Sequence, residues 1–233
     1  MKLRLGNNGN IHTLSPLLDD LLDGGFQYNT MSHYYGMSGT GKTIFAMQLS
    51  LTTIHNGHKV IWIDLNKSFD FNRLIQMNHD DKSIASQIKL FRPQSYKKNM
   101  ELVKDLENHI TEATKLIVLD PFTYFYRLNL KESVEFRARR DLFNIQLPIL
   151  ARIVLTYDLH IILINQTRAS FIHRFDAVGG KRTDKFCKYV LEFRYNSSDN
   201  KRYITIRKHF RKKGLIGLSC KINKYGFYGF EKC

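Results

Sequence analysis

The strongest constraint on the fold comes from residues 36–43, which match the pattern G-x-x-x-x-G-K-[ST] at every fixed position. An apolar segment that predicts a strand over 30–35 precedes them, and a helix is predicted over 42–55. In this context the glycines let the backbone turn and point N–H groups inward at the positive end of the helix, which forms an anion-binding nest. An ordinary glycine-rich turn before a helix is the alternative interpretation. We predict that the segment binds ATP through Gly36, Met37, Ser38, Gly39, Thr40, Gly41, Lys42 and Thr43.

Two side chains of this segment have specific expected roles. Lys42 is predicted to reach the β- and γ-phosphates, where it is also a catalytic candidate, and Thr43 is predicted to bind Mg²⁺. A second magnesium partner is expected at the end of an apolar strand, and Asp120 follows four large apolar residues at such a place. A helix or turn N-cap is the other interpretation of Asp120. Gln166, after another apolar strand, is a candidate to contact the γ-phosphate, or else a polar group satisfied locally.

Apolar strands and amphipathic helices alternate along most of the chain, which is typical of an α/β domain with a largely parallel sheet. Beyond the elements named above, strands are predicted over 59–64, 88–91, 115–120 and 159–165, and helices over 96–110 and 134–157, and a further helix is predicted to begin over 71–77. From about residue 188 the pattern changes to alternating segments at 189–194, 202–207 and 215–222. These predict antiparallel hairpins appended to the parallel core. We find no linker or repeat, so residues 1–233 are expected to form one domain.

Positive charge is concentrated in the last third of the chain. The formal net charge is +15, and residues 166–233 contain 17 Lys and Arg against 5 Asp and Glu, a balance of +12. Such an excess predicts a polyanionic partner, and we favour nucleic acid because no basic amphipathic helix or membrane-spanning segment is evident. A solvated basic face is the alternative. Three cysteines without C-x-x-C spacing fit a reducing cytoplasm.

The order of these motifs resembles a known family. The resemblance rests on residues 36–43, on the segments 60–64 and 116–123, and on 163–166, and it extends over nearly the whole chain. Together they are similar to the ATPase core of the RecA/RadA recombinases, and more closely to the short archaeal RadB branch. The resemblance implies a RecA-type P-loop core that binds ATP and DNA, and a nucleoid-associated accessory role in homologous recombination and DNA repair. It also implies a RadA-type recombinase as partner and low ATP turnover.

One departure from the family pattern supports the low turnover. The recombinases have Asp-Thr-Glu-Gly after the second core strand, where the glutamate activates the attacking water, whereas this chain has Asp64-Leu65-Asn66-Lys67. An amide holds water by hydrogen bonds but does not accept its proton, and general-base help contributes roughly 10²–10⁴-fold. We expect Asn66 to position the water at most, and hydrolysis to be slow or absent. Asp64 is a candidate substitute base, and an ordinary loop asparagine is the alternative for Asn66.

The resemblance also indicates where DNA would bind. In the recombinases two loops after the later strands hold DNA, and the matching segments here are 127–140 and 168–185. Single-stranded DNA is the favoured form, because Phe171 and Phe175 lie among the cations and could stack on unpaired bases. Lys208 and Arg211 are alternatively candidates to reach the γ-phosphate of a neighbouring subunit. The expected DNA contacts are Arg168, Arg174, Lys181, Arg182, Lys208 and Arg211.

The short segment before residue 36 bears on assembly. The RadA proteins carry a helical N-terminal domain and a Phe-x-x-Ala motif that docks on the neighbouring subunit, and only residues 1–35 precede the phosphate loop here. Autonomous filament formation is therefore not expected, although self-association stays open. Three rival functions are also open: an active DNA-dependent ATPase of the same fold, a KaiC-like signalling ATPase and a P-loop kinase that would use Arg137, Arg139 and Arg140 in a lid.

Overall fold

The computed structural model describes residues 9–127, 132–167 and 180–233 of the 233-residue chain. The strands are β1 (Asn10–Ile11), β2 (Phe26–Gln27), β3 (Thr30–Gly36), β4 (Lys59–Asp64), β5 (Ile88–Phe91), β6 (Thr114–Asp120), β7 (His160–Gln166), β8 (Tyr189–Asn196), β9 (Lys201–Lys208), β10 (Ile216–Asn223) and β11 (Gly226–Lys232). The helices are α1 (Pro16–Leu21), α2 (Lys42–His55), α3 (Phe71–Met77), α4 (Tyr96–Lys104), α5 (Tyr124–Arg127), α6 (Glu132–Asp141), α7 (Leu147–Tyr157) and α8 (Gly180–Phe186). Among these residues, no helix is both long enough and apolar enough to span a bilayer.

Nine of the strands form one continuous sheet. Its order is β11-β10-β9-β8-β3-β7-β6-β4-β5, and the six neighbours from β8 to β5 run parallel. The central strands are buried on both faces, as expected of parallel strands covered on both sides, and the middle residues of β4, β6 and β7 are apolar. Buried side chains accordingly form two cores, one on each face of the sheet. The phosphate loop thus follows the central strand β3, whose two parallel neighbours are β7 and β8. The predicted α/β architecture is confirmed.

The C-terminal antiparallel strands extend this sheet. Strand β8 pairs in parallel with β3, with Ser32 opposite Tyr189 and Gly36 opposite Phe193. Strands β9, β10 and β11 then follow in antiparallel order. The pairing of β8 with β3 therefore holds the hairpins next to the phosphate loop. The edge of the sheet that carries the loop extends onto them. The sequence analysis did not predict β11, or the short helices α5 and α8.

The helix predicted over 134–157 is interrupted. Helix α6 ends at Asp141, a π-helical segment follows over Leu142–Gln146, and α7 begins at Leu147. Pro148 lies in the first turn of α7, where it has no N–H to donate to the preceding turn. Wider turns next to a proline accommodate that missing donor. The helix predicted over 96–110 is likewise shorter, because α4 ends at Lys104 and a 3₁₀ turn follows over Leu106–His109.

Candidate functional site

The phosphate loop is shaped by glycines that have no room for a side chain. Gly41, the N-cap of α2, has φ 101°, and a Cβ atom there would lie 2.6 Å from Phe227 Cζ and 2.7 Å from Ile222 Cδ1. A Cβ atom on Gly36 would collide with the backbone oxygen of Phe193. Strands β8, β10 and β11 therefore pack directly against the loop. Larger residues at positions 36 and 41 would push the loop away from them.

Lys42 lies inside the loop and is nearly buried. Its Nζ donates to the carbonyl oxygens of Gly36 at 2.9 Å and Met37 at 2.7 Å, and to Thr40 Oγ1 at 3.2 Å. Burial lowers the pKa of Lys42 to about 8, and the charge of Asp120 opposes that shift. The ammonium thus depends on carbonyl dipoles for most of its compensation. Phosphate oxygens would supply the negative charge that the site lacks.

Thr43 and Asp120, the two residues expected to hold Mg²⁺, lie in direct contact. Thr43 Oγ1 donates to Asp120 Oδ2 at 2.6 Å, from the first turn of α2 to the end of β6. Burial raises the pKa of Asp120 to about 6, and the hydrogen bond from Thr43 and the charge of Lys42 act against this rise. A hydroxyl and a carboxylate oxygen are donors that suit Mg²⁺. The two residues therefore fit the ion that the sequence predicts.

A cavity of about 330 Å³ opens over these groups. Strands β4, β6 and β7 bring Asn66, Asp120 and Gln166 to its wall, because the carboxyl ends of parallel strands meet at one edge of the sheet. Arg202 on β9 and Ile222 on β10 complete the wall from the opposite side. Sequence reasoning missed these two residues, because neither lies near a motif and the sheet order alone places them there. The described lining is Ser38, Gly39, Gly41, Lys42, Thr43, Ile44, Asn66, Ser68, Asp120, Pro121, Ile164, Gln166, Arg202 and Ile222.

The loop after β4 is clamped by Asp64. Its buried carboxylate accepts hydrogen bonds from the backbone N–H groups of Ser68 at 2.9 Å and Phe69 at 3.2 Å, and from Arg92 Nε at 2.9 Å. Arg92 Nη2 also donates to the carbonyl oxygen of Phe69 at 2.7 Å. Asn66 is exposed, and its Oδ1 accepts from Ser68 N at 3.2 Å in a local turn. Asp64 is thus engaged in holding the loop, which argues against its use as a substitute base.

The structure places the expected DNA contacts on several elements. Arg168 and Arg174 lie outside the described residues. Lys181 and Arg182 are exposed on α8, and the guanidinium of Arg182 lies 5.4 Å from the ring centre of Phe143. Lys208 differs from them, because its Nζ donates to two carbonyl oxygens at the end of α8, each at 2.6 Å.

Arg211 is exposed beyond the end of β9. Strand β9 pairs Lys208 with Val190 near the start of β8, whereas Phe193, further along β8, lies opposite Gly36. Lys208 and Arg211 therefore lie toward the opposite end of the parallel strands from the phosphate loop. Neither position is near the cavity of their own chain.

A chain of hydrogen bonds connects the ends of β6 and β7, at the edge of the sheet that carries the phosphate loop, with α8. Thr123 N donates to Asn165 Oδ1 at 3.1 Å, and Asn165 Nδ2 lies 2.8 Å from His33 Nε2. On the other side of the ring, His33 Nδ1 lies 2.7 Å from Asp184 Oδ1 on α8. Asn165 immediately precedes Gln166 of the cavity wall. The sequence gives no sign of this chain, because its members are far apart along the polypeptide.

Comparison with known proteins identifies the family of this chain. The Rad51 family model matches residues 8–183. The DNA repair and recombination protein RadB of Methanobrevibacter smithii is 30% identical over 200 residues, which cover 82% of this chain and 84% of that protein. The RadB protein of Methanothermobacter thermautotrophicus is 29% identical, over 89% of this chain and 91% of its own. A crystal structure of the RadB recombinase superposes with a TM-score of 0.77 at 27% identity, covering 93% of this chain and 98% of that one. The chain therefore belongs to the Rad51 family of RecA-type recombinases and, within it, to the RadB proteins.

Proposed function

We propose that the protein binds ATP and Mg²⁺ in the phosphate loop, and that the nucleotide-bound form acts on DNA as an accessory protein in homologous recombination and repair. The main support for this proposal is the arrangement of Lys42 with the hydrogen-bonded pair Thr43 and Asp120, in a chain of the RadB type. The family membership supports a recombination role, and the site chemistry supports the ligand.

The residues around the cavity have complementary parts in nucleotide binding. The loop amides and Lys42 would hold the phosphates, and Thr43 and Asp120 would hold the metal ion. When bound, Mg²⁺ neutralises charge on the β- and γ-phosphates. Gln166, at the end of β7, would contact the γ-phosphate from the cavity wall.

Nucleotide acts mainly as a conformational ligand in this proposal. Asn66 occupies the place of the water-activating glutamate and has no basic group. Asp64 is fully engaged with Arg92 and two backbone amides, so it does not replace that glutamate. Hydrolysis is consequently slow, and the bound triphosphate persists long enough to maintain one state of the protein.

The DNA-binding part rests on charge. Residues 166–233 carry the +12 excess, and Lys181 and Arg182 project from α8 into solvent. If about five phosphates are contacted, log affinity for single-stranded DNA falls with log salt with a slope of about −3.5. Lys208 has a structural role at α8 in this arrangement, and the freely exposed cations make the contacts.

The test measures binding to a single-stranded oligonucleotide across a salt series, with and without a non-hydrolysable ATP analogue and Mg²⁺. We expect the stated slope and tighter binding with nucleotide, and we expect Lys42→Ala to lose the nucleotide effect while it retains the salt dependence. Binding that is independent of salt would remove the DNA assignment. Equal nucleotide affinity of the wild type and Lys42→Ala would remove the ATP assignment.

The proposed protein partner is a RadA-type recombinase. The RadB relatives support this assignment, since they are recombination proteins. Mass measurement of an equimolar mixture with a RadA-type recombinase, with and without nucleotide, is expected to give a heteromeric complex. A mixture without any heteromeric species would refute the partnership. Homomeric oligomers of this chain in that mixture would support self-association.

A further inference from the structure

We propose that Arg202 binds the phosphate tail of the nucleotide held in the phosphate loop of its own chain. This inference rests on the proposed nucleotide binding and adds a residue that no part of the loop motif specifies. Arg202 lies in the wall of the same cavity as Lys42, Thr43 and Asp120, although it is on β9, about 160 residues after Lys42 in the chain. The ligand class is a nucleoside diphosphate or triphosphate.

The backbone around Arg202 is fixed next to the loop. Arg202 is paired with Tyr195 on β8 and with Cys220 on β10, so it sits between two strands of the continuous sheet. Two residues beyond Cys220, Ile222 also lines the cavity, and its side chain approaches Gly41. The position of Arg202 relative to the phosphate loop is therefore set by strand pairing, which holds a side chain more precisely than a mobile lid would.

The charge of Arg202 has no carboxylate partner among the described residues. Its neighbours on the hairpins are paired, because Arg194 and Arg207 both bind Glu192 and Lys201 binds Glu231. In contrast, Arg202 forms no ion pair with any residue that the structure describes, and its buried Nε has no hydrogen-bond acceptor among them. A buried donor without an acceptor is costly, and such groups are concentrated where a ligand completes the site.

The guanidinium of Arg202 also stacks on an aromatic ring. Its central carbon lies 3.6 Å from the ring centre of Tyr195, which is the distance of a direct stack on the ring face. A planar guanidinium with several N–H donors binds phosphate oxygens in a forked geometry. Lys42 uses its ammonium partly on loop carbonyls, so a second cation would share the charge of the phosphate tail. Arg202 supplies that cation from the hairpin side.

The experiment is a titration of a fluorescent, non-hydrolysable ATP analogue with Mg²⁺ into the full chain, compared among three variants. We expect Arg202→Ala to weaken binding about tenfold, Arg202→Lys to lie between it and the wild type, and Lys201→Ala to bind within about twofold of the wild type. Lys201→Ala is the matched control, because it removes one positive charge from the adjacent position of β9. The side chain that it removes is paired with Glu231.

A second ligand identifies the part of the nucleotide that is contacted. The loss in Arg202→Ala is expected for ATP and absent for adenosine monophosphate, because the monophosphate has no β- or γ-phosphate. An equal loss for both ligands would refute the phosphate assignment. If Arg202→Ala does not fold, as judged by its melting temperature, Tyr195→Leu replaces it, and we expect about threefold weaker binding from the unstacked guanidinium.

The failure of this inference differs from the failure of the proposed function. If the wild type does not bind the analogue, nucleotide binding itself is wrong. If the wild type binds and folded Arg202→Ala binds equally well, only the role of Arg202 is wrong. Loss of DNA affinity in nucleotide-free Arg202→Ala with unchanged nucleotide affinity would also refute it, and would assign the cation to DNA.

Discussion

Replacing Asn66 with glutamate is expected to raise the rate of ATP hydrolysis. Asn66 lies in the cavity wall with Thr43, Asp120 and Gln166, so a carboxylate at this position would face the same space as the terminal phosphate. Position 66 is exposed, and a glutamate there would be fully ionised at pH 7 and only weakly basic. General bases contribute roughly 10²–10⁴-fold, and a weak base belongs at the lower end. We expect about a 10²-fold gain, equivalent to about 2.7 kcal/mol of barrier.

The assay is single-turnover hydrolysis of ATP with enzyme in excess, with and without single-stranded DNA. Asn66→Gln is the matched control, because it has the length of glutamate without the basic group. Lys42→Ala in the Asn66→Glu background should abolish the gain, which would show that the new activity uses the phosphate loop.

Equal rates for the glutamate and glutamine variants would refute the reasoning, since length alone would then account for the effect. A wild-type rate that already shows a DNA-stimulated burst would also contradict it. In that case the chain would have a base elsewhere, and the assignment of nucleotide as a conformational ligand would be wrong.

Three further predictions concern stability and the loop. First, burial lowers the pKa of His160 from 6.5 to about 4, so the unfolded chain takes up a proton that the folded chain does not. Stability should fall by about 3 kcal/mol as pH drops from above 6.5 to below 4, and urea titration of the wild type against His160→Gln should show a smaller dependence in the variant. Second, Gly41→Ala should reduce nucleotide affinity at least tenfold, as measured by calorimetry, because its Cβ would meet Phe227. Third, urea unfolding at pH 7 should show that Asp64→Asn lowers stability by about 2–3 kcal/mol while Asp120→Asn raises it by about 1–2 kcal/mol. The same sign for both substitutions would contradict the third prediction.

The elements around the phosphate loop were predictable from local signals. The bounds of α2, β4 and β5 agree with the sequence-based prediction at both ends, and α3 begins at its predicted residue. Local chemistry sets these ends: Gly41 adopts a left-handed conformation before α2, and the Asp70 carboxylate accepts from Asn72 N at the start of α3. An apolar run over 60–63 defines β4, and apolar residues on either side of the exposed Lys89 define β5. Signals within a few residues of each boundary were therefore sufficient.

Features that depend on distant partners were not predictable. His33 has no carboxylate neighbour in sequence, yet its ring bridges Asp184 and Asn165, which follow it by 151 and 132 residues. The position of Arg202 in the cavity wall follows from the pairing of β8 with β3, which no hydrophobic period encodes. Strand β11 was missed because Gly226 and Gly229 interrupt its alternation. The first two features depend on contacts between elements that are distant in sequence, whereas β11 is obscured by its own glycines.

Two aspartates that are paired across neighbouring strands differ in how well their charges are compensated. Asp64 and Asp120 are paired across β4 and β6, and both carboxylates are buried. Asp64 is compensated by Arg92 and two backbone amides, whereas Asp120 has one hydroxyl donor and a raised pKa. Lys42 is in the converse state, with a pKa lowered by burial. Charges that a folded chain leaves poorly compensated on neighbouring groups lower its stability, and such groups are concentrated at functional sites. The ligand that would relieve both groups must offer a cation to Asp120 and anionic oxygens to Lys42, and a magnesium-bound polyphosphate offers both.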